Sequence, residues 1–158
     1  MKGKGIIVLA LLVGLIVWVA GCEDFATPEV EILGAWPAVA VVDQFTDTIV
    51  IDSIQVRVLN SMDVRLSEVY FDFYPSYAHN TDSDPLFSSS PIPMDIKIYG
   101  TDSLLTIYGI PISVKDMVDY MYNHDVNGYV EITFRAEDLY NYENFVWVST
   151  IVGLQKLK

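Results

Sequence analysis

From Thr48 to Leu154 the chain is written in short stretches that alternate apolar and polar residues and stop at turn signals. This rhythm constrains the fold more than any other feature. Successive side chains on a strand point to opposite faces, so a period of two sets one apolar face on a core and leaves the other outward. Ile54, Val56 and Val58 alternate with Gln55 and Arg57, and Asn60-Ser61-Met62-Asp63 then turns the chain. Leu66 to Tyr74 sets Val69, Phe71 and Phe73 against Tyr70, Asp72 and Tyr74 before Pro75 stops it. These two stretches are expected to be antiparallel neighbours. Ile96 to Tyr99 and Leu104 to Tyr108, parted by Gly100-Thr101-Asp102-Ser103, look like a hairpin. Asn127-Gly128 leads into Tyr129 to Arg135, and Phe145 to Leu154 forms the closing strand across a loop. Ala38 to Val42 is a candidate first strand.

Two segments break the rhythm. After Pro111, Val114, Met117, Val118 and Met121 recur at helical spacing, with Ser113 and Asp116 placed to cap a helix ending near Tyr122. Pro75 to Asp95 gathers Pro75, Pro85, Pro91 and Pro93 with a run of serines around Asn80 to Asp84, and reads as a long loop. At 158 residues the chain has room for one core. About seven short strands and one short helix, joined by turns and not by long crossovers, predict a mainly β fold. The expected architecture is an antiparallel, immunoglobulin-like β-sandwich over residues 38–158. A single cysteine allows no internal disulfide, so Val, Ile, Phe and Tyr must hold the sheets together.

The N-terminus follows a different pattern. Lys2 and Lys4 make a short positive head, and Ile6 to Ala20 is an apolar run broken only by Gly14, the layout of a secretory signal. A membrane-spanning helix needs about 20 apolar residues. This run ends sooner, at Val19-Ala20-Gly21-Cys22, and passes into Glu23-Asp24. Those four residues resemble the lipobox of bacterial lipoproteins: a branched apolar residue, two small residues, then the acceptor cysteine. The plainer alternative is an uncleaved anchor with an incidental cysteine.

The lipobox resemblance implies that residues 1–21 are a signal peptide recognised through Val19, Ala20 and Gly21, that Cys22 is lipidated, and that residues 22–37 are a tether. It places the protein outside the cytoplasm, held by its lipid on the bacterial cell envelope. Acyl chains worth about 0.8 kcal/mol per buried CH₂ make that attachment durable. Of the nine basic residues, Lys2 and Lys4 leave with the signal; seven remain against 21 acidic ones, a formal charge of −14. Nucleic acid and anionic headgroups call for basic patches, so neither is an expected partner. Solubility, divalent cations or a basic partner are compatible with such a charge.

Val114 to Val152, a short helix, then Val130-Glu131-Ile132-Thr133-Phe134, then Glu137-Asp138 and a last apolar strand, resembles the C-terminal part of small bacterial immunoglobulin-like lipoproteins. Those relatives often carry glycines where this chain has Ala136 and Asn141, so a different final turn is expected. The family has no single activity, and the resemblance assigns no catalytic residue.

Little in the sequence suggests catalysis. His79 and His124 lie in turn-rich segments, and no nucleophile-elbow glycines flank the serines that could join His79 and Asp82 in a triad. Two histidines with a lipidated cysteine are too few ligands for zinc, and no glycine-rich phosphate loop occurs. Neither an enzyme nor a cofactor is expected. Asn80, Asp82 and Asp84 space oxygen ligands like the start of a calcium loop, but no glycine or twelfth-position glutamate follows. Glu137, Asp138 and Glu143 form an equally weak acidic group.

The tyrosines are in excess. Tyr70 and Tyr74 fall opposite Phe71 and Phe73, Tyr77 extends them, and Tyr140 and Tyr142 occupy the last turn. They either pack under a second layer or form an aromatic binding surface. Leu86 and Phe87 either tuck onto the sandwich edge or anchor a partner. The interaction surface is therefore expected at Tyr77, Leu86, Phe87, Tyr140 and Tyr142. The leading reading is a lipid-anchored, non-catalytic envelope protein acting in protein interaction or assembly. The alternative is a binding module for carbohydrate or a divalent cation.

Overall fold

A computed structural model describes residues 27–76, 84–100 and 103–157. The signal peptide with Val19, Ala20, Gly21 and Cys22, and in the long loop Tyr77, His79, Asn80 and Asp82, lie outside the described residues. The fold is a mainly β, immunoglobulin-like two-sheet sandwich with one short helix. Its strands are β1 (Val30–Trp36), β2 (Val39–Val42), β3 (Thr48–Val58), β4 (Val64–Pro75), β5 (Phe87–Ser88), β6 (Ile92–Ile98), β7 (Leu104–Ser113), β8 (Gly128–Asp138) and β9 (Phe145–Lys156); the helix α1 (Lys115–His124) precedes β8. One sheet has the order β1-β3-β7 and the other β2-β9-β8-β4-β5, with β6 also on β4. Every pairing is antiparallel except β2 with β9, which is parallel.

Alternation creates the core. Val64, Leu66, Val69, Phe71 and Phe73 of β4 and Val130, Ile132, Phe134 and Ala136 of β8 are buried, facing Ile51, Ile54, Val56 and Val58 of β3. Along β3 the buried positions change phase between Ile51 and Ile54, and β7 makes the same change between Ile110 and Ile107. Gly109, at φ +67°, sits at that step and takes a conformation that L side chains resist. The stripe expected on the helix is the one used: Val114, Met117, Val118 and Met121 are all buried. Met117 closes on Gly128, where an added Cβ would lie 2.1 Å from Met117 Cε and 2.9 Å from the Tyr74 carbonyl oxygen.

Several expectations are corrected. The tether does not run to Pro37, because β1 occupies Val30–Trp36 and pairs with β3. An irregularity between Ile32 and Gly34 spoils its period, which is why it does not read as a strand. The stretches before and after Asn60 are not neighbours: β3 and β4 belong to different sheets, and the turn carries the chain across the sandwich. The hairpin across Gly100 is absent for the same reason, since β6 pairs with β4 and β7 with β3. The loop after Pro75 contains β5 and the start of β6. Ser113 does not cap α1; it ends β7, and Val114 holds the N-cap position without a side-chain cap. At the other end Asp125, in the left-handed region, closes the helix onto Met121 O. The closing β8–β9 hairpin stands as expected, from Glu137↔Phe145 to Gly128↔Leu154.

Candidate functional site

The outer face of the six-stranded sheet is the site that this architecture builds. Because Phe71, Phe73, Val130 and Ile132 turn inward, their neighbours Tyr70, Asp72, Tyr74, Tyr129 and Glu131 must turn outward. The same parity in β9 sends Phe145, Trp147, Ser149 and Ile151 outward. Register then assembles them in rows: Tyr74 beside Tyr129, Asp72 beside Glu131 beside Ile151, and Arg135 beside Trp147.

Ring contacts tie these rows together. Tyr74 stacks on Tyr129 at 5.0 Å between centroids, Tyr70 meets Trp147 edge-on at 5.6 Å, and Phe145 meets Trp147 edge-on at 5.9 Å. The Arg135 guanidinium lies 4.3 Å from the Phe145 ring centre. Between the two tyrosine groups sit the paired carboxylates of Asp72 and Glu131, each held by a serine. Ser88 donates to Asp72 Oδ1 at 2.5 Å, and Ser149 donates to Glu131 Oε1 at 2.6 Å. Burial first, and the charges of Asp72 and Glu131 next, raise the Tyr74 phenol above its ordinary pKa. Trp147 remains 48% exposed and Ile151 58%, with Val39 and Val41 of β2 exposed beyond Ile151, opposite Gly153 and Gln155. The face is therefore aromatic and aliphatic, with the carboxylates of Asp72 and Glu131 among the rings.

The weak acidic group of the sequence divides. Glu137 is 1% exposed although it points outward, because Arg65, Ser67 and Arg135 cover it. Arg65 Nε donates to Glu137 Oε1 at 2.7 Å, Ser67 donates to Oε2 at 3.1 Å, and Glu137 in turn holds the Arg65 proton more tightly. This carboxylate is consumed in fixing β4 to β8 at one end of the sheet. Among the described residues no group of three or more His, Cys, Asp or Glu is placed to hold a metal ion.

The expected interaction residues do not form one surface. Phe87 pairs with Phe73, packs against the core and meets Tyr120 edge-on, whereas Leu86 is exposed. Asp84 is exposed. Tyr140 and Tyr142 are both exposed in the β8–β9 turn. That turn lies at the Val64–Asp138 end of the sheet, while the loop after Pro75 lies at the Gly128 end. Eleven residues of strand, roughly 36 Å, separate the two. The expectation of a joint recognition surface is therefore corrected. The sequence reading missed Tyr129, Trp147 and Ile151; their outward parity was visible in β8 and β9, but not which face of the sheet would stay uncovered.

No protein-family model matches the chain, and no curated protein matches it. Solved structures match in fold. The solution structure of a protein described as late embryogenesis abundant (LEA) is 16% identical, covers 99% of this chain and 88% of its own, and gives a TM-score of 0.51. A crystal structure of a protein from Archaeoglobus fulgidus is 10% identical, covers 84% and 100%, and gives 0.42. The ligand binding region of Serine-glutamate repeat protein A of Enterococcus faecium is 14% identical, covers 82% and 98%, and gives 0.32. The LEA likeness is one of fold alone.

Proposed function

We propose that this chain is a lipid-anchored, non-catalytic protein of the bacterial cell envelope that holds a protein partner on the outer face of its six-stranded sheet. Lipid on Cys22 supplies the membrane attachment, as the Val19-Ala20-Gly21-Cys22 resemblance implies. The observation that carries the partner is exposed Trp147 set against Tyr70 and Phe145 towards one end of β9, with exposed Ile151 further along the same face and Val39 and Val41 beyond it, opposite Gly153 and Gln155. Rigid aromatic anchors rimmed by polar groups, as Trp147 is by Ser149, Glu131 and Arg135, are what protein interfaces use. The −14 charge of the processed chain and the Asp72–Glu131 pair favour a partner with basic side chains at the matching position.

A second reading takes the same face as a carbohydrate platform, since Tyr74 and Tyr129 flank carboxylates able to accept sugar hydroxyls. One experiment separates the two. Trp147→Ser with Ile151→Ser should leave the melting temperature within a few degrees and abolish a specific crosslink formed from position 149 in intact envelopes. Glycans, or millimolar calcium, should leave the melt unshifted. A crosslink that survives the double substitution, or a glycan-dependent rise in the melt, sinks the protein-partner reading.

A further inference from the structure

The anchor and the fold meet at one end of the sandwich. Thr27 and Glu29, the start of the described chain, are tied to the β3–β4 turn: Asn60 Nδ2 donates to Thr27 O at 2.8 Å, and Leu59 N donates to Glu29 O at 2.8 Å. Thr27 follows Cys22 by five residues, a reach of at most about 18 Å when fully extended. The other end of the molecule lies twelve residues of strand away along β4 and β9, roughly 40 Å. The lipid therefore emerges beside the end formed by the β3–β4, β6–β7 and β8–β9 turns.

That end gathers exposed tyrosine and leucine side chains from three turns. Leu59 and Tyr99 stand exposed in its turns, Leu104 at the first position of β7, and Tyr140 and Tyr142 in the β8–β9 turn, with Tyr140 79% exposed. Asp63 locks the three turns into one platform. Its Oδ1 accepts the Gly100 N–H at 2.9 Å, its Oδ2 accepts the Tyr140 hydroxyl at 2.9 Å, and its carbonyl accepts the Leu139 N–H at 2.9 Å. Just inside the platform lie Arg57, Arg65, Lys97 and Arg135, four of the seven basic residues left after processing. Arg57, Arg65 and Arg135 are paired there with Glu31, Glu137 and Glu68, so it is the tyrosine rings with their aliphatic neighbours that match what proteins place at the headgroup level of a bilayer.

We propose that this end of the sandwich rests on the membrane surface, with Tyr99, Tyr140, Tyr142, Leu59 and Leu104 in the headgroup layer. This rests on the lipid-anchor reading above. The partner is a zwitterionic lipid surface, because Asp138 and Glu143 in the same turn region repel anionic headgroups. The molecule then stands on end, with its aromatic sheet face perpendicular to the bilayer and open to a partner. Tyr140 and Tyr142 serve the membrane and not that partner.

The test uses the full chain, lipidated in a bacterium and reconstituted into phosphatidylcholine vesicles. Cys22 carries its thiol as a thioether, so a nitroxide attaches only at an introduced cysteine: Tyr142→Cys or Leu104→Cys at the anchored end, Phe45→Cys at the far end. Collision with a water-soluble nickel chelate should be several-fold lower, and collision with oxygen higher, at positions 142 and 104 than at 45. Mass spectrometry of the same samples reads the acyl chains on Cys22. Acylated protein with all three labels equally open to water overturns the orientation and leaves the anchor standing. Protein without acyl chains overturns the anchor and this proposal with it.

Discussion

Asp63 shows how one side chain organises this molecule. It is half-buried and receives hydrogen bonds from residues 37 and 77 positions away in sequence, so nothing local announces it. The hydrogen bond that Tyr140 donates to Asp63, and the charge behind it, raise the Tyr140 phenol above its ordinary pKa. A group whose folded pKa is raised contributes stability that is complete below its unfolded pKa and fades as pH climbs through the folded one. The Tyr140–Asp63 contact should therefore be fully present at neutral pH and lost only at strongly alkaline pH. An alkaline absorbance titration should place Tyr140 and Tyr74 among the late-ionising tyrosines, the second raised by burial. Tyr140→Phe should remove one late step and leave the other. A titration unchanged by the substitution would refute the contact. Glu137 makes the same point about legibility. In sequence it is one acid among Glu137, Asp138 and Glu143; only the pairing of β4 with β8 brings Arg65 opposite it.

The elements divide by how local their causes are. The helix is legible because its apolar stripe is written within ten residues, and the β8–β9 hairpin because one strand follows the other across a short loop. The turns at Asn60 and Gly100 were misread, because the same turn-forming residues can fold a hairpin or pass a chain from one sheet to the other. Only the fit of all the strands around a single core chooses between them. β5 is the sharpest case. Two residues long, it is invisible to periodicity, yet it docks Phe87 beside Phe73 and against Tyr120. Phe87→Ser should lower stability by about 2 kcal/mol, since a ring packed against the core is exchanged for a hydroxyl. Leu86→Ser should change it by less than about 0.5 kcal/mol, as surface substitutions do. Thermal melts of the two variants check this, and equal losses would show that Leu86 is as much a part of the packing as Phe87.

At the scale of the whole molecule, the domain boundary becomes testable. A chain beginning at residue 38, the boundary that periodicity suggests, lacks β1 and leaves the three-stranded sheet with only β3 and β7. Two strands are marginal, and the bared edge of β3 invites association. Compared with a chain beginning at residue 27, it should melt at least about 10 °C lower and run as aggregates in size exclusion. Identical melts would remove β1 from the folded unit. The sequence by itself determined the class of fold, the position of the helix and the closing hairpin. Each of these is set by neighbours in sequence: a period of two, a period of 3.6 or a turn dipeptide. Tertiary structure alone decided which strands share a sheet, which face of the larger sheet the other described elements leave open, and that Tyr140 and Tyr142 lie at the Asp63 end of the sandwich, far from Leu86 and Phe87. Those outcomes depend on long-range pairing, where each strand's apolar face is equally satisfied by several partners until the whole core closes and leaves one arrangement without a void or an unpaired edge inside.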